Sequence, residues 1–512
     1  MVALTCAFMA VGWGLENVAT IENDPILPIA LRGCLEETGS SILYPGSQEY
    51  VARSEPQNSN YHPHPGVIAI PSSSDEVAAI MRCVAAENGG VKLSPRGGGH
   101  SYAAYSFSGQ VILDSSNMTT ITFNEEEKEV TAQFGQTLGS LAVAMGHKGY
   151  ALPHGTCPGV GISGHSLGGG WGFTSRKWGW LVDHIVSMEL VDTDGNIRQL
   201  TPSSTGMEAE LFWALRGAGA SNFGIVTAFT YAMEEAPAAV VNYNFPFDTK
   251  EDCAHALLAF QEMGTFPVDD PRGLPLEFGG QVTVTGGDES TCMLIGQYLG
   301  TKSNFMPVIH RLLWILSMRG VHPLGSKSKI DEFVNWVDCL TDLMGPLDSP
   351  SEHLPYYAQS LVDDGGPTYT LADAEHIIDA IQAANGFLGL NTNVSFDLNG
   401  LGSATNDRPD TGDMAFIHRS SLFVTQIYSD NFPGFNDTAS RVDALKVINR
   451  ITDATKQANP DGQWHCYQNY IDPYLKNFGE AYYGSNLGRL KFLKSTADPD
   501  MILDFPQSLT YA

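Results

Sequence analysis

Positive charge is scarce in this chain: 28 Lys and Arg stand against 57 Asp and Glu, a formal charge of −29. A surface this acidic repels nucleic acid and anionic lipid, and no basic cluster interrupts it, so neither is expected as a partner. Long apolar runs are also missing. No stretch reaches the ~18 residues needed to span a bilayer, which predicts a soluble protein without membrane association. The eight cysteines (6, 34, 83, 157, 253, 292, 339, 466) include no C-x-x-C pair and no regular spacing. Neither a zinc site nor a disulfide-rich scaffold is indicated, and no metal is expected. A basic n-region is absent before the apolar patch within residues 1–14, so a secretion signal there is weak. Three sequons, at Asn117, Asn393 and Asn436, nevertheless fit a secreted or secretory-pathway protein.

Glycine, by contrast, is plentiful at 53 residues, and it clusters beside two nucleophiles. One stretch reads Arg96-Gly97-Gly98-Gly99-His100-Ser101-Tyr102. The other reads His154-Gly155-Thr156-Cys157-Pro158-Gly159-Val160-Gly161 and runs on to Gly168-Gly169-Gly170. Triple glycines let main chain approach a ligand closely and present N–H donors that hold a pyrophosphate without side-chain charge. A His and a Cys beside such loops point to a cofactor fastened by covalent bonds.

At 512 residues the chain can form two domains or one large domain with an insertion. Val67–Ile70 reads as a buried strand, and a capping box at Ser73–Glu76 opens a helix with apolar residues at Val77, Ile80, Met81 and Val84. Val91-Lys92-Leu93 begins the next strand, which ends at the first glycine run. A hairpin is expected around Ile121–Phe123 and Val130–Ala132, then a helix from Leu138 to Met145, a strand over Val186–Val191 and a short helix over Glu210–Leu215. Composition changes at Glu234–Pro237, where a second unit begins. The tail, dense in aromatics and amides between Cys466 and Asn486, reads as returning to a site.

Three motifs compete for the second glycine run. Gly159-Val160-Gly161-Ile162-Ser163-Gly164 satisfies G-x-G-x-x-G with Asp183 nineteen residues on, but Pro153, Gly155 and Pro158 break the strand a dinucleotide fingerprint requires. Gly164-His165-Ser166-Leu167-Gly168 matches the G-x-S-x-G elbow of serine hydrolases, yet the following glycines cost about 1 kcal/mol each in the helix that must follow. The third reading uses both glycine stretches and explains the His and the Cys together.

With those stretches, Ser175-Arg176, Phe212–Gly224, Tyr467–Asp472 and Tyr483-Gly484-x-Asn486, the chain resembles the berberine-bridge-enzyme-like family of FAD-linked oxidases, and within it the fungal oligosaccharide oxidases. The resemblance implies an α+β fold: a PCMH-type FAD-binding domain (31–236) after an N-terminal segment (1–30), an inserted α+β substrate domain (237–445), and a C-terminal berberine-bridge-like segment (446–512) completing the flavin domain. It implies bicovalent FAD, with His100 on the 8α-methyl carbon and Cys157 on C6, a tethering that allows an open substrate groove and tends to raise the flavin potential. Arg96, Gly97, Gly98, Gly99, Ser101, Gly161, Gly164, His165, Gly224, Val226, Tyr467 and Asn469 match cofactor-contacting positions. Val160 matches the position controlling oxygen access. Tyr470, with Asp397 as acceptor or orienter, matches the proton-abstracting pair of the sugar oxidases; a like charge would raise the tyrosine pKa, so a cationic or dipolar neighbour is expected. Tyr467 joins that catalytic set, and Tyr102 lines the substrate face. A Cys34–Cys83 disulfide also matches the family. The implied reaction is hydride transfer to flavin and then to dioxygen, releasing hydrogen peroxide, by a monomer acting on a small molecule. The substrate is an oligosaccharide reducing end or, alternatively, a secondary metabolite undergoing cyclisation, desaturation or dearomatisation. Outside this class stands a serine hydrolase on Ser166.

Overall fold

Val67, Ile68, Ala69 and Ile70 are all buried because their strand runs inside a four-stranded sheet. In the computed structural model, which describes residues 27–285, 291–349, 351–365, 369–406 and 412–510, that sheet has the order Ser41–Leu43, Val67–Ile70, Val111–Asp114, Leu93–Arg96. Its last three strands are parallel, so the chain needs a crossover, supplied by the helix Ser74–Ala85. Ser73 Oγ caps that helix by accepting from Glu76 N, an interaction typically worth about 1 kcal/mol. The reciprocal half of the expected capping box is absent. The Glu76 carboxylate instead accepts from Ser72 N and Ser40 Oγ. The strand Leu93–Arg96 then delivers the chain to Gly97–Gly99.

A five-stranded antiparallel sheet follows, in the order Ile121–Asn124, Glu129–Gln133, Ile225–Ala232, Ile185–Val191, Ile197–Leu200. The helix Leu138–Gly146 precedes the Cys157 loop. A helix starts at Ile162 and stops after six residues at Leu167. Gly169 and Gly170, at φ 135° and 88°, leave the helical region, as the glycine argument predicts.

The second unit is built on an eight-stranded antiparallel sheet: Lys329–Phe333, Val240–Phe247, Cys292–Tyr298, Phe278–Val284, Asn391–Leu398, Phe423–Asp430, Tyr356–Asp364, Gln463–His465. Four helices, Lys250–Thr265, Lys302–Ser317, Leu371–Ala384 and Thr438–Gln457, pack on one face of this sheet, so that Phe260, Ile309, Ile377 and Ile451 from the helices and Val394 and Phe396 from the strands share one core. Strand alternation sends the intervening side chains, such as Asn393 and Asp397, to the opposite face.

The boundary expected at 445/446 needs correction. It falls inside the helix Thr438–Gln457, whose Ala444, Val447, Ile448, Ile451 and Ala454 all pack into the core of the second unit. The return to the first unit comes after the edge strand Gln463–His465. From there Tyr482, Tyr483, Leu490, Leu493, Ile502, Leu503 and Leu509 join the core that also holds Val67 and Phe229. Lys494 Nζ fastens this tail by donating to Asn222 O, Leu503 O and Asp498 Oδ2.

Cys34 and Cys83 form a disulfide, tying the helix Ile29–Glu36 to the crossover helix. Cys253 and Cys292 form a second, which the sequence did not indicate. The expected signal-like stretch and most of the 1–30 segment lie outside the described residues. Among the described residues no helix is long and apolar enough to cross a membrane. Asn117 and Asn436 are exposed, whereas Asn393 is half-buried.

Candidate active site

The two glycine stretches meet backbone against backbone. A Cβ on Gly98 would lie 2.4 Å from Gly161 N, and one on Gly161 would lie 2.4 Å from Gly98 N, so neither position accepts a side chain. Gly224, at φ 139°, would drive its Cβ to 2.7 Å from Val191 O. Gly164 is different: a Cβ there meets nothing within 4 Å and would project into a cavity of about 480 Å³.

That cavity lies between the glycine loops and the polar face of the eight-stranded sheet. Gly97, Gly98, Gly99, His100, Ser101, Tyr102, Cys157, Val160, Gly161, Gly164, His165, Gly224, Val226, Asp397, Tyr467, Asn469 and Tyr470 all line it. Arg96 does not. It is the register partner of Asp114 across the parallel sheet, and its Nη1 pairs with Asp114 Oδ2 at 2.6 Å. The side chain therefore anchors the start of the loop and does not reach the cavity.

The His100 imidazole bonds to Ser351 Oγ through Nε2. Burial, and then nearby His353, push its pKa down to about 4, so the ring is neutral and nucleophilic at pH 7. Cys157 is exposed and lines the cavity, and the surrounding protein pushes its thiol pKa up by desolvation. His165 is held neutral by burial, its pKa down to about 3, and its Nε2 accepts from Gly155 N at 3.1 Å. This bond ties the Cys157 loop to the short helix Ile162–Leu167.

On the far side Tyr470 stacks on Tyr102, with ring centroids 5.9 Å apart and planes 4° apart, and meets Tyr467 edge-on at 5.0 Å. Tyr470 hydrogen-bonds Asp397. Burial pushes both groups well up, and the neighbouring Asp397 raises Tyr470 further. The groups acting on Tyr470 most strongly all oppose its ionisation, and the expected cation is not among them. Asp397 Oδ1 is buried with no partner among the described residues. The Tyr467 hydroxyl oxygen is taken: it accepts from Gly170 N at 2.7 Å and Asn469 Nδ2 at 3.0 Å, holding the glycine turn.

Two competing readings end here. Ser166 is fully buried, bonds to Tyr231 at 2.7 Å and does not line the cavity, so no hydrolase elbow exists. Asp183 is occupied by Arg419 at 2.6 Å and by Trp180 N, which removes the acidic residue of a dinucleotide fingerprint. The sequence reading missed the polar face itself. Gln281, Asn393, Gln426 and Tyr428 all line the cavity from the sheet. The polar–apolar alternation of Asn393-Val394-Ser395-Phe396-Asp397 is the signal that could have found it.

An apolar and amide-lined cleft, close-approach glycines, a first helical turn without a side-chain cap and an unpartnered buried carboxylate oxygen fit a large cofactor together with a polar substrate. Family models agree. An FAD binding domain matches residues 65–201, and a berberine and berberine-like domain matches residues 466–510. The chain is 30% identical over 500 residues to a xylooligosaccharide oxidase of Thermothelomyces thermophilus, covering 94% of each chain. It is 27% identical over 522 residues to a chitooligosaccharide oxidase of Gibberella zeae, covering 99% of this chain and 98% of the other. The solved structure of Physcomitrella patens BBE-like 1 superposes with a TM-score of 0.82 at 29% identity, covering 94% of this chain and 100% of that one. With FAD-binding loops at one wall and the berberine-like tail at the other, this chain belongs to the berberine-bridge-enzyme-like family and is an FAD-dependent oxidoreductase.

Proposed function

We propose that this protein oxidises an alcohol carbon at the reducing end of an oligosaccharide and passes the electrons to dioxygen, releasing hydrogen peroxide. The observation that carries the reading is the polar sheet face opposite the glycine loops. Gln281, Asn393 and Gln426 offer amide groups, and the stacked pair Tyr356 and Tyr428 adds aromatic surface, a combination suited to a polyhydroxylated ring. Relatives named for xylo- and chitooligosaccharides support the same substrate class.

FAD supplies the hydride acceptor when bound. His100 and Cys157, both at the cavity wall, would hold it by two covalent bonds. The neutral imidazole carries a free ring nitrogen for this, because Ser351 occupies Nε2. Backbone of Gly97–Ser101 and Gly161–Gly164, which lines the cavity, would hold the cofactor, and Val160 would control the approach of oxygen. Tyr470 accepts the substrate hydroxyl proton and relays one to Asp397. Burial raises the basicity of the Asp397 carboxylate, which favours its taking a proton from the phenol it bonds. Tyr102 supports the Tyr470 ring.

Acid precipitation of the purified protein tests the cofactor assignment: a yellow pellet yielding flavinyl peptides at both His100 and Cys157 is expected. His100→Ala and Cys157→Ala should each retain flavin through the remaining tether. Peroxide release with oligosaccharides, and none with flat aromatic alcohols, is expected; the reverse preference overturns the substrate reading. Tyr470→Phe should slow anaerobic flavin reduction by about 10²–10⁴-fold with flavin still attached.

A further inference from the structure

Tyr470 lies in a segment, 466–477, that contains neither helix nor strand, so contacts outside regular secondary structure must set its position. Upstream, Tyr467 N donates to Ser360 Oγ at 2.9 Å, and Tyr470 N donates to Tyr467 O at 2.9 Å. Downstream stands Asp472. Its Oδ1 accepts from the Tyr357 hydroxyl at 2.9 Å and from Tyr474 N at 2.8 Å. Its own amide donates to the Tyr482 hydroxyl at 3.0 Å, and its carbonyl accepts from Gln507 Nε2 at 2.8 Å. The amide, the carbonyl and one carboxylate oxygen of a single residue are therefore all engaged.

Asp472 is 8% exposed, and among the described residues no ion pair is formed by it. A buried carboxylate held only by neutral donors is costly to keep. Neither Asp472 nor Tyr357 lines the cavity, so neither is placed to touch a substrate. What they do is join the Tyr470 segment to the strand Tyr356–Asp364. That strand also carries Ser360, the upstream anchor, and Tyr356, which lines the cavity and meets Tyr102 edge-on at 5.3 Å. Both ends of segment 467–472 are thus fastened to one strand, and the Tyr102 ring on which Tyr470 stacks is packed against the same strand.

We propose that Asp472 is a positioning residue for Tyr470: by binding the Tyr357 hydroxyl and the Tyr474 amide it fixes the segment so that the Tyr470 phenol meets Asp397 and the reacting hydroxyl together. The proposal rests on the reading of Tyr470 as proton acceptor. A displacement of about 1 Å at such a group is enough to lower a rate a hundredfold.

The test is anaerobic stopped-flow reduction of the full-length, flavin-loaded enzyme by a cello- or xylo-oligosaccharide. Asp472→Ala should lower the limiting reduction rate by about tenfold or more with little change in the half-saturating concentration. Asp472→Asn, whose Oδ1 accepts the same two hydrogen bonds, should recover to within about threefold of wild type. Tyr357→Phe removes one bond without emptying the site and should slow reduction by about two- to fivefold, which keeps the test available if Asp472→Ala does not fold. On a Tyr470→Phe background, Asp472→Ala and Tyr357→Phe should have no further effect. Equal slowing on both backgrounds, or an Asn variant no faster than the Ala variant, would overturn the proposal. A slow Tyr470→Phe beside a fully active Asp472→Ala sinks this proposal alone, whereas a fully active Tyr470→Phe sinks the reading beneath it.

Discussion

Gly98 and Gly164 show how differently two glycines of one site respond to the same methyl group. Gly164→Ala adds a Cβ to open space inside a helix, where Ala is favoured by up to about 1 kcal/mol. The variant should fold normally yet carry less flavin, read as a lower ratio of visible to protein absorbance; full flavin loading would show that this turn does not face the cofactor. Gly98→Ala collides with the facing backbone, and should lower both flavin content and melting temperature. Such residues were legible in the sequence because their chemistry is their own: a glycine run, a histidine or a cysteine means the same wherever the chain carries it. Arg96 was not, because a cross-strand partner decides where its side chain points. Asp114 became that partner only once the parallel register formed.

One contact between the two units is made by a buried side chain from the short helix Ser175–Trp178. Arg176, 2% exposed, donates through Nε to Asn399 O at 2.9 Å, through Nη1 to Phe278 O at 2.8 Å and through Nη2 to Leu274 O at 3.1 Å. Burial lowers its pKa to about 10, leaving it charged at neutral pH. Asn399 lies two residues beyond Asp397, so this guanidinium also steadies the end of the strand that carries the carboxylate. Arg176→Met should destabilise by about 3 kcal/mol, because carbonyls arranged for a fork of donors lose it. Arg176→Lys should rescue little, since an ammonium cannot span the same acceptors. Urea midpoints distinguish the two cases. The crossover helix, the hairpin and the helix Leu138–Gly146 were readable from periodicity and caps. The 445/446 boundary that the resemblance implied divides the helix Thr438–Gln457, because its buried positions run on past that point into the core of the second unit.

For the molecule as a whole, acid behaviour follows from buried imidazoles. His418 is 4% exposed; burial first, then His465 and Arg419, push its pKa down to about 3. In the unfolded chain it titrates near 6.5, so between those values the unfolded state binds more protons and stability falls as pH falls. Asp472, raised by burial to about 6, contributes in the opposite direction below that pH. It does so equally in wild type and in a His418→Asn variant, and cancels in the comparison. From pH 6.5 toward pH 3 the variant should lose about 1.4 kcal/mol per pH unit less than wild type; parallel curves would show that His418 is charged in the fold. The excess of acidic residues was plain in the sequence, but which histidines are sealed from water depends on packing between distant segments. One such segment, residues 466–510, completes a core begun near residue 67, with the whole eight-stranded sheet in between. Tyr467, Asn469 and Tyr470 reach the cavity wall only with that tail, so the glycine cradle and the proton-handling wall come from stretches of chain far apart in sequence. Docking of residues 466–510 therefore does two things at once: it completes a hydrophobic core and brings the Tyr470 phenol to the cavity wall.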